Sequence, residues 1–170
     1  RSVANPADLG HLGDEDGFLA MVRDAHAVNR AIAAKHPGLP IVMLAHSMGS
    51  FVAQVMLFSY PDDFVGCALS GSSGAPPLLA KAGRVAARVE RARLGKRGKS
   101  PLLTALTFGD FNKKFAPNRT DFDWLSRDQA EVDKYIADPL CGFASSTQSW
   151  IDLLDALDTI VHEPSSQARI

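Results

Sequence analysis

The residues whose types and spacing suit chemistry are grouped around one serine. Ser47 follows a short apolar run, residues 39–44, and a second apolar segment begins directly after it. A chain that passes from a strand into a helix through one residue turns sharply, which favours small residues two positions before and after the turn. Ala45 and Gly49 occupy those two positions. The pattern predicts a strained turn, a nucleophile elbow, that projects the Ser47 hydroxyl above the end of a sheet.

The residue after the serine supplies a second part of the same chemistry. The first N–H groups of a helix have no acceptor within the helix and lie at the positive end of its dipole. The backbone N–H of Met48 is therefore expected to stabilise the oxyanion that forms when Ser47 attacks an acyl carbonyl. The hydroxyl also needs a base, in most serine enzymes a histidine that an acid orients. The common form of the motif is G-x-S-x-G, and Ala45 departs from it.

Hydrophobic periodicity predicts the elements that would position the serine. Apolar residues at three- and four-residue steps predict five helices, at residues 18–35, 48–59, 78–94, 129–137 and 146–162. Short apolar runs with β-branched residues predict two strands, at residues 39–44 and 65–70. The two strands are expected to be buried on both faces, as parallel strands usually are. Alternation of helices and strands over residues 18–70 predicts a parallel sheet with helices packed on it. Residues 95–128 show no clear period.

Composition limits the classes of protein to consider. The chain has 170 residues, of which 46% are hydrophobic, and a net charge of −1, which indicates one globular domain and argues against a dedicated nucleic-acid binder. No apolar run is long enough to predict a membrane-spanning helix. Cys67 and Cys141 lack metal-ligand spacing and are expected to be buried thiols of a cytoplasmic protein, and no cofactor is expected. The first residue is Arg1, so we expect the natural chain to begin further upstream.

Four segments of the chain resemble a known family. They are "DEDGF" at 14–18, "HPGLPIVML" at 36–44, "LAHSMGSFVAQ" at 44–54 and "FDWLSRDQAEVDKYIADPLCGF" at 122–143. Together they resemble the monoacylglycerol lipase and lysophospholipase branch of the α/β-hydrolases, which is similar to the S33 serine aminopeptidases. The resemblance implies an α/β fold, a partial α/β-hydrolase parallel sheet with an inserted helical cap. We expect residues 1–74 to belong to the core, residues 75–145 to the cap, and residues 146–170 to a helix that returns to the core.

The catalytic residues of the family can be carried over only in part. The resemblance implies Ser47 as nucleophile and the Met48 backbone as oxyanion donor, with an acid and then a histidine later in the chain. His162 is the only histidine after Ser47. Its spacing to the candidate acids Asp110, Asp123 and Asp158 gives no support for a triad. We therefore expect the acid and the base to lie outside this chain, and the first oxyanion-hole contributor upstream of it.

Two other histidines lie close to the expected site. His46 adjoins the nucleophile, and its side chain is expected to point away from the serine. His11 lies in a loop near the expected mouth of the site and is a minor functional candidate.

The resemblance implies a serine hydrolase that cleaves carboxylic esters of lipids through an acyl-serine intermediate. Monoacylglycerols or lysophospholipids would be its small-molecule substrates. Such an enzyme needs an apolar tunnel, because each buried methylene contributes about 0.8 kcal/mol. Six residues of the cap are candidates either for lining that tunnel or for packing the cap onto the body: Leu102, Leu103, Leu106, Phe108, Phe111 and Phe115.

Charged residues on the later helices allow two interpretations. Lys81, Arg84, Arg88 and Arg91 share one face of the predicted helix 78–94. That face would make weak contact with a membrane surface of anionic lipids, or it would be a solvated outer face. The acidic side of the last helix, which carries Asp152, Asp155 and Asp158, is expected to be a solvated face.

Three alternatives to a lipid esterase were weighed. A peptidase on the same fold remains open, because fold does not determine substrate. A truncated chain without catalytic activity also remains open, because both ends of the family's pattern are expected to be missing. The sheet of such a chain would have exposed edges, which tend to associate. A nucleotide-binding domain would need a phosphate-binding glycine loop, and "SGSSG" at 70–74 lacks the G-x-G-x-x-G spacing.

Overall fold

The computed structural model describes residues 5–72 and 77–162. In these ranges the chain forms α1 (Gly17–Lys35), β1 (Val42–His46), α2 (Met48–Ser59), β2 (Gly66–Ser70), α3 (Pro77–Leu94), α4 (Pro101–Phe108), α5 (Gln129–Ala137) and α6 (Thr147–His162). Short 3-10 turns occur at Pro6–Asp8, Pro61–Asp63, Asn112–Phe115 and Asp123–Leu125. The five predicted helices are therefore confirmed, each within one residue of its expected ends. No helix in the described part of the chain is long and apolar enough to cross a membrane.

Helix α4 was not predicted, although its first residues have the pattern of a helix start. Ser100 caps the helix by accepting a hydrogen bond from the Leu103 backbone N–H at 3.2 Å, and Pro101 is its first residue. A serine cap followed by proline is a typical helix start. The helix is only eight residues long and has apolar residues on several sides, so no single face showed a helical period.

The two strands form a parallel pair, in which Val42 lies opposite Gly66 and His46 lies opposite Ser70. Helix α2 is the crossover between them, and α1 packs beside it. The expectation that both faces of the strands are buried was wrong. Val42 is 67% exposed and Leu44 is 79% exposed, because within the described residues helices cover only the opposite face of the sheet.

Helix α6 joins two hydrophobic clusters. Its C-terminal half packs against α1 and α2 in the larger cluster, whose buried members are Phe18, Val22, Val52, Val55, Met56, Leu57, Phe64, Ala156, Leu157 and Ile160. Its N-terminal half contributes to the smaller cluster of Ala87, Leu103, Trp150 and Ile151, which ties α3 and α4 to the body. The half-buried thiol of Cys67 packs at the edge of the larger cluster, and burial raises its pKa. Cys67 and Cys141 are both free but only half-buried, so the expectation of buried thiols was wrong.

The N-terminus of α6 is a buried polar junction. The Thr147 hydroxyl donates to the carbonyl of Gly95 at 2.6 Å, and the Thr147 N–H donates to the carbonyl of Gly98 at 2.8 Å. The Ser146 N–H donates to the carbonyl of Gly10 at 2.8 Å. Because each of these buried groups has a partner, the junction fixes the N-terminal loop and the α3–α4 loop against α6.

Helix α3 directs part of its basic face towards α6, so that face is not solvated along its whole length. Arg84 contacts Asp155 at 2.7 Å and Asp158 at 3.3 Å, and Arg91 donates to the side-chain oxygen of Gln148 at 2.8 Å. Two of the four basic residues are thus held by α6.

The acidic side of α6 is correspondingly a solvated face only in part, because each of its aspartates also has a protein partner. Asp155 and Asp158 pair with α3, and the carboxylate of Asp152 accepts hydrogen bonds from the Gly17 N–H at 2.9 Å and from the Gln148 amide at 2.7 Å.

Candidate active site

Ser47 occupies the turn between β1 and α2, as its neighbours predicted. Its backbone has φ 52° and ψ −126°, a positive-φ conformation that non-glycine residues rarely adopt. Such strain persists only where the surrounding structure imposes it, and it is concentrated at functional sites. The strand–serine–helix geometry places the exposed Ser47 residue at the carboxyl end of a parallel strand, where ligands of open α/β sheets bind.

Short hydrogen bonds to the backbone hold this turn. The Ser47 N–H donates to the carbonyl of Ser70 at 2.9 Å, which continues the pairing with β2. The Ser47 carbonyl accepts from the Ser50 N–H at 2.8 Å and from the Ser50 hydroxyl at 2.6 Å. Ser50 is fully buried, so its hydroxyl is a structural support of the turn rather than a second nucleophile.

The residues beside Ser47 have separate roles in the turn. Met48 is the first residue of α2, so its backbone N–H lies at the positive end of the helix, beside the serine. A side chain on Gly49 would meet no atom within 4 Å outside its own helix, so the described part of the chain does not require a small residue there. We expected a small residue at position 49 because the backbones would come close together there, and for the described residues that expectation was wrong.

The histidines nearest in sequence or in expected position have other partners. His46 lies with Nδ1 3.1 Å from the Ser70 hydroxyl. His11 lies with Nδ1 2.9 Å from the Ser146 hydroxyl and Nε2 3.2 Å from a carboxylate oxygen of Asp14. The hydrogen-bonded series of Asp14, His11 and Ser146 resembles a catalytic triad, but Ser146 is fully buried and cannot reach a substrate. Among the described residues, no histidine hydrogen bonds to the Ser47 hydroxyl.

The acids considered as triad members are also engaged elsewhere. The ammonium group of Lys113, 2.5 Å away, lowers the pKa of Asp110. Hydrogen bonds from the Thr120 hydroxyl and backbone N–H lower the pKa of Asp123. Asp158 pairs with Arg84. No cluster of residues that could hold a metal ion occurs in the described ranges.

A cleft of about 830 Å³ opens beside Ser47. Its walls come from the turn after β1, from α4 and the loops that follow it, and from the start of α6. The lining residues are Ser47, Lys99, Ser100, Pro101, Thr104, Ala105, Phe108, Gly109, Asn112, Asp121, Phe122, Trp124, Tyr135, Gly142, Phe143, Ala144, Ser145 and Trp150. A cleft of this volume is within the range of small-molecule binding sites.

Of the six residues proposed for an apolar tunnel, Phe108 alone lines this cleft. Leu103 is buried in the smaller hydrophobic cluster and packs the cap region onto the body. Leu102, Leu106 and Phe115 are exposed on the surface. Tryptophans that the sequence analysis did not select, Trp124 and Trp150, form the wall instead. Their signal in the sequence was weak because they are distant in the chain and belong to different elements.

Phe108, Trp124 and Trp150 form one aromatic wall. The ring centroids of Phe108 and Trp124 are 6.3 Å apart and those of Phe108 and Trp150 are 6.1 Å apart. Phe111 also contacts the wall, with its ring edge-on to Trp124 at a centroid distance of 5.0 Å.

Asn112 fixes the loop that carries Trp124. Its side-chain oxygen accepts from the Trp124 N–H at 3.0 Å, and its amide donates to the carbonyl of Thr120 at 2.7 Å. The position of this part of the wall is therefore set by hydrogen bonds as well as by ring contacts.

A buried acid anchors α4, which carries one side of the cleft. Glu90 accepts hydrogen bonds from the Arg93 guanidinium at 2.8 and 2.9 Å and from the Ser100 hydroxyl at 2.5 Å. The bonds from Arg93 and Ser100 lower the pKa of Glu90 to about 2. Ser100 is also the cap of α4, so Glu90 connects α3 to the start of that helix.

Similar proteins agree with this architecture. A thermostable carboxyl esterase from Bacillus coagulans, solved in complex with glycerol, superposes with a TM-score of 0.72 at 23% identity, covering 84% of this chain and 46% of the esterase chain. Human monoglyceride lipase is 29% identical over 160 residues, which is 89% of this chain and 47% of the lipase. The chain therefore spans about half the length of these relatives. The structural match confirms the predicted partial α/β-hydrolase fold with a helical cap. Since the match to the family described as serine aminopeptidase, S33, extends over residues 4–167, the chain belongs to that family.

Proposed function

We propose that this chain carries the nucleophile of a serine hydrolase that cleaves carboxylic esters. The observation that carries the proposal is Ser47 itself, which has φ 52° between a parallel strand and a helix and lines a cleft of about 830 Å³. An exposed hydroxyl at such a turn, beside the N-terminus of a helix, suits nucleophilic attack on an acyl carbonyl.

The reaction would proceed in two halves. The Ser47 oxygen attacks the ester carbonyl carbon while a base takes the hydroxyl proton, and the Met48 N–H donates to the resulting oxyanion. The tetrahedral intermediate collapses, the alcohol leaves with that proton, and an acyl-serine remains. Water then attacks the acyl-serine and releases the acid. His11 and His46, the histidines nearest to Ser47 in expected position or in sequence, have other partners. The proposal therefore places the histidine and its acid outside these 170 residues, in which case the segment alone is inactive.

Lipid esters are the proposed substrates. The similarity to human monoglyceride lipase supports a monoacylglycerol as the ester. We extend the proposal to lysophospholipids and to medium or long acyl chains because the sequence resembles the monoacylglycerol lipase and lysophospholipase branch of the α/β-hydrolases. The family also includes enzymes described as aminopeptidases, so cleavage of an amide is the second candidate.

Hydrolysis by the natural protein tests the proposal. We expect it to hydrolyse 4-nitrophenyl butyrate and monooctanoylglycerol, and Ser47→Ala to lower kcat by more than about a thousandfold. Ser59→Ala is the matched control, since Ser59 is an exposed serine at the end of the same helix, and it should leave kcat unchanged. Faster cleavage of alanine 4-nitroanilide than of either ester would favour the aminopeptidase. No cleavage of any substrate, or equal rates for wild type and Ser47→Ala, would overturn the proposal.

We also propose a weak membrane contact through the outer side of α3. Arg84 and Arg91 face α6, which leaves Lys81 and Arg88 exposed next to two exposed valines, Val85 and Val89. An apolar stripe with flanking cations suits the surface of an anionic bilayer, where each cation contributes about 1 kcal/mol.

Vesicle sedimentation tests this contact. The double variant Lys81→Ala/Arg88→Ala should bind phosphatidylserine vesicles about 30-fold more weakly than wild type, from two cations at about 1 kcal/mol each. The control Lys113→Ala/Lys134→Ala removes two lysines that pair with Asp110 and Glu131 and should change binding little. Equal losses for the two double variants would contradict a specific role for α3.

A further inference from the structure

The apolar lining of the cleft is mostly aromatic. Six of the thirteen aromatic residues of the chain line it: Phe108, Phe122, Trp124, Tyr135, Phe143 and Trp150. The remaining apolar lining consists of Pro101, Ala105 and Ala144. No leucine, isoleucine, valine or methionine is among the described lining residues, although these aliphatic types are common in the two hydrophobic clusters.

This composition suits a flat, rigid group better than a flexible chain. Aromatic rings in edge-to-face or offset contact gain about 0.5–1.5 kcal/mol per pair beyond the area that they bury, and an alkyl chain gains no such term. An alkyl chain also loses the freedom of many rotatable bonds when it is ordered against the protein, whereas a phenyl group loses the freedom of few.

The wall is already arranged for such a contact. Ring contacts join Phe108 to Trp124 and Trp150, and Asn112 holds the backbone of Trp124. A binding surface whose side chains are fixed before the ligand arrives loses little further entropy on binding.

We propose that the cleft binds an aryl group, and that aryl-substituted esters form a further substrate class of this protein. The proposal rests on the proposed ester hydrolysis at Ser47 for its chemistry, but the binding preference does not depend on hydrolysis. The ring belongs either to the acid or to the alcohol part of the ester. In each case it lies against the aromatic wall while the ester carbonyl lies at Ser47.

Binding of matched ligands tests the preference without catalysis. The pairs are 3-phenylpropanoate with nonanoate and 3-phenylpropanol with nonanol, in which both members have nine carbons. Both tryptophans of the chain line the cleft, so quenching of their fluorescence reports its occupation. We expect the aryl member of at least one pair to bind at least threefold more tightly. Preference in the acid pair alone assigns the ring to the acid part, and preference in the alcohol pair alone assigns it to the alcohol part.

Two phenylalanine variants show whether the wall causes the preference. Phe108→Leu should reduce the aryl-to-alkyl ratio by about two- to twelvefold, which corresponds to the loss of one aromatic pair at about 0.5–1.5 kcal/mol. Phe115→Leu is the matched control, because Phe115 is 47% exposed, similar to 41% for Phe108, but does not line the cleft. It should leave the ratio unchanged.

Several outcomes overturn the proposal. These are tighter or equal binding of the alkyl member in both pairs, the same change of ratio in Phe108→Leu and Phe115→Leu, or no binding of any ligand. An aryl preference in a protein that hydrolyses no ester would refute the proposed function and leave the aryl site in place. Ester hydrolysis by a protein without the aryl preference would refute the aryl site and leave the proposed function in place.

Discussion

Ser47 and the aromatic wall face the same cleft but are held in place by different forces. Ser47 is placed by its own backbone: it lies between β1 and α2, and backbone pairing with Ser70 and the support of Ser50 fix the turn. The aromatic wall is placed by contacts between residues far apart in the chain, from α4, the following loop and α6. Under the proposed function, the position of the reacting atom would depend on local geometry, and substrate recognition would depend on long-range packing. A substitution can therefore disturb one and spare the other.

Loss of packing under the wall should have the largest effect on stability. Leu103 is 4% exposed and packs against Trp150, so Leu103→Ala should lower the free energy of unfolding by about 2–5 kcal/mol. The neighbouring Leu102→Ala is the control, because Leu102 is 51% exposed, and it should change stability by less than about 0.5 kcal/mol. Urea denaturation measures both, and equal losses would show that the smaller cluster does not support the wall.

Relief of backbone strain at Ser47 should have the next largest effect on the free energy of unfolding. This change should stabilise the protein, whereas the loss of packing destabilises it. Glycine adopts positive φ without a side-chain clash, so Ser47→Gly should be more stable than Ser47→Ala by about 1–3 kcal/mol. Both variants remove the hydroxyl, so the difference between their free energies of unfolding isolates the cost of the strained backbone. Equal stability in urea denaturation would mean that the turn at Ser47 is not strained.

A smaller effect is expected from Glu90, because glutamine preserves the shape and an acceptor for Ser100. The pKa of Glu90 is lowered to about 2 from an ordinary value of 4.5. A lowered pKa means that the carboxylate stabilises the fold fully above about pH 4.5 and that this contribution is lost as the pH falls towards 2. Wild type should therefore exceed Glu90→Gln in stability at pH 7, and the two should converge near pH 2.

The stability difference between wild type and Glu90→Gln, measured by urea denaturation at several pH values, provides the check. Glu131→Gln is the control, because Glu131 is exposed and pairs only with Lys134 within its own helix among the contacts described. A difference for Glu90→Gln that does not change between pH 7 and pH 2 would contradict the role of its charge.

The same contrast explains what the sequence allowed us to predict. The turn at Ser47 follows from a β-branched run, a serine and an amphipathic helix, all within about twenty residues, so local patterns were sufficient. The helices other than α4 had clear periods and were predicted almost to their ends. The aromatic wall could not be predicted, because no local pattern shows that Trp124 and Trp150 meet Phe108 across the cleft.

Errors in the predictions have the same origin. Arg84, Asp155 and Asp158 show the spacing of solvated faces, yet Arg84 pairs with both aspartates because α3 and α6 pack side by side. Val42 and Leu44 show the composition of a doubly buried strand, but the described residues cover only one face of the sheet. In both cases the environment of the side chain is set by a distant element.

Covalent labelling of Ser47 tests the central claim most directly. The natural protein would be treated with a fluorophosphonate, which forms a bond with an activated serine, and the modified residue identified by mass spectrometry of its peptides. The account predicts one label, on Ser47, absent from Ser47→Ala and retained in Ser59→Ala. An unlabelled protein, or a label on another serine, would contradict the assignment of Ser47 as the nucleophile.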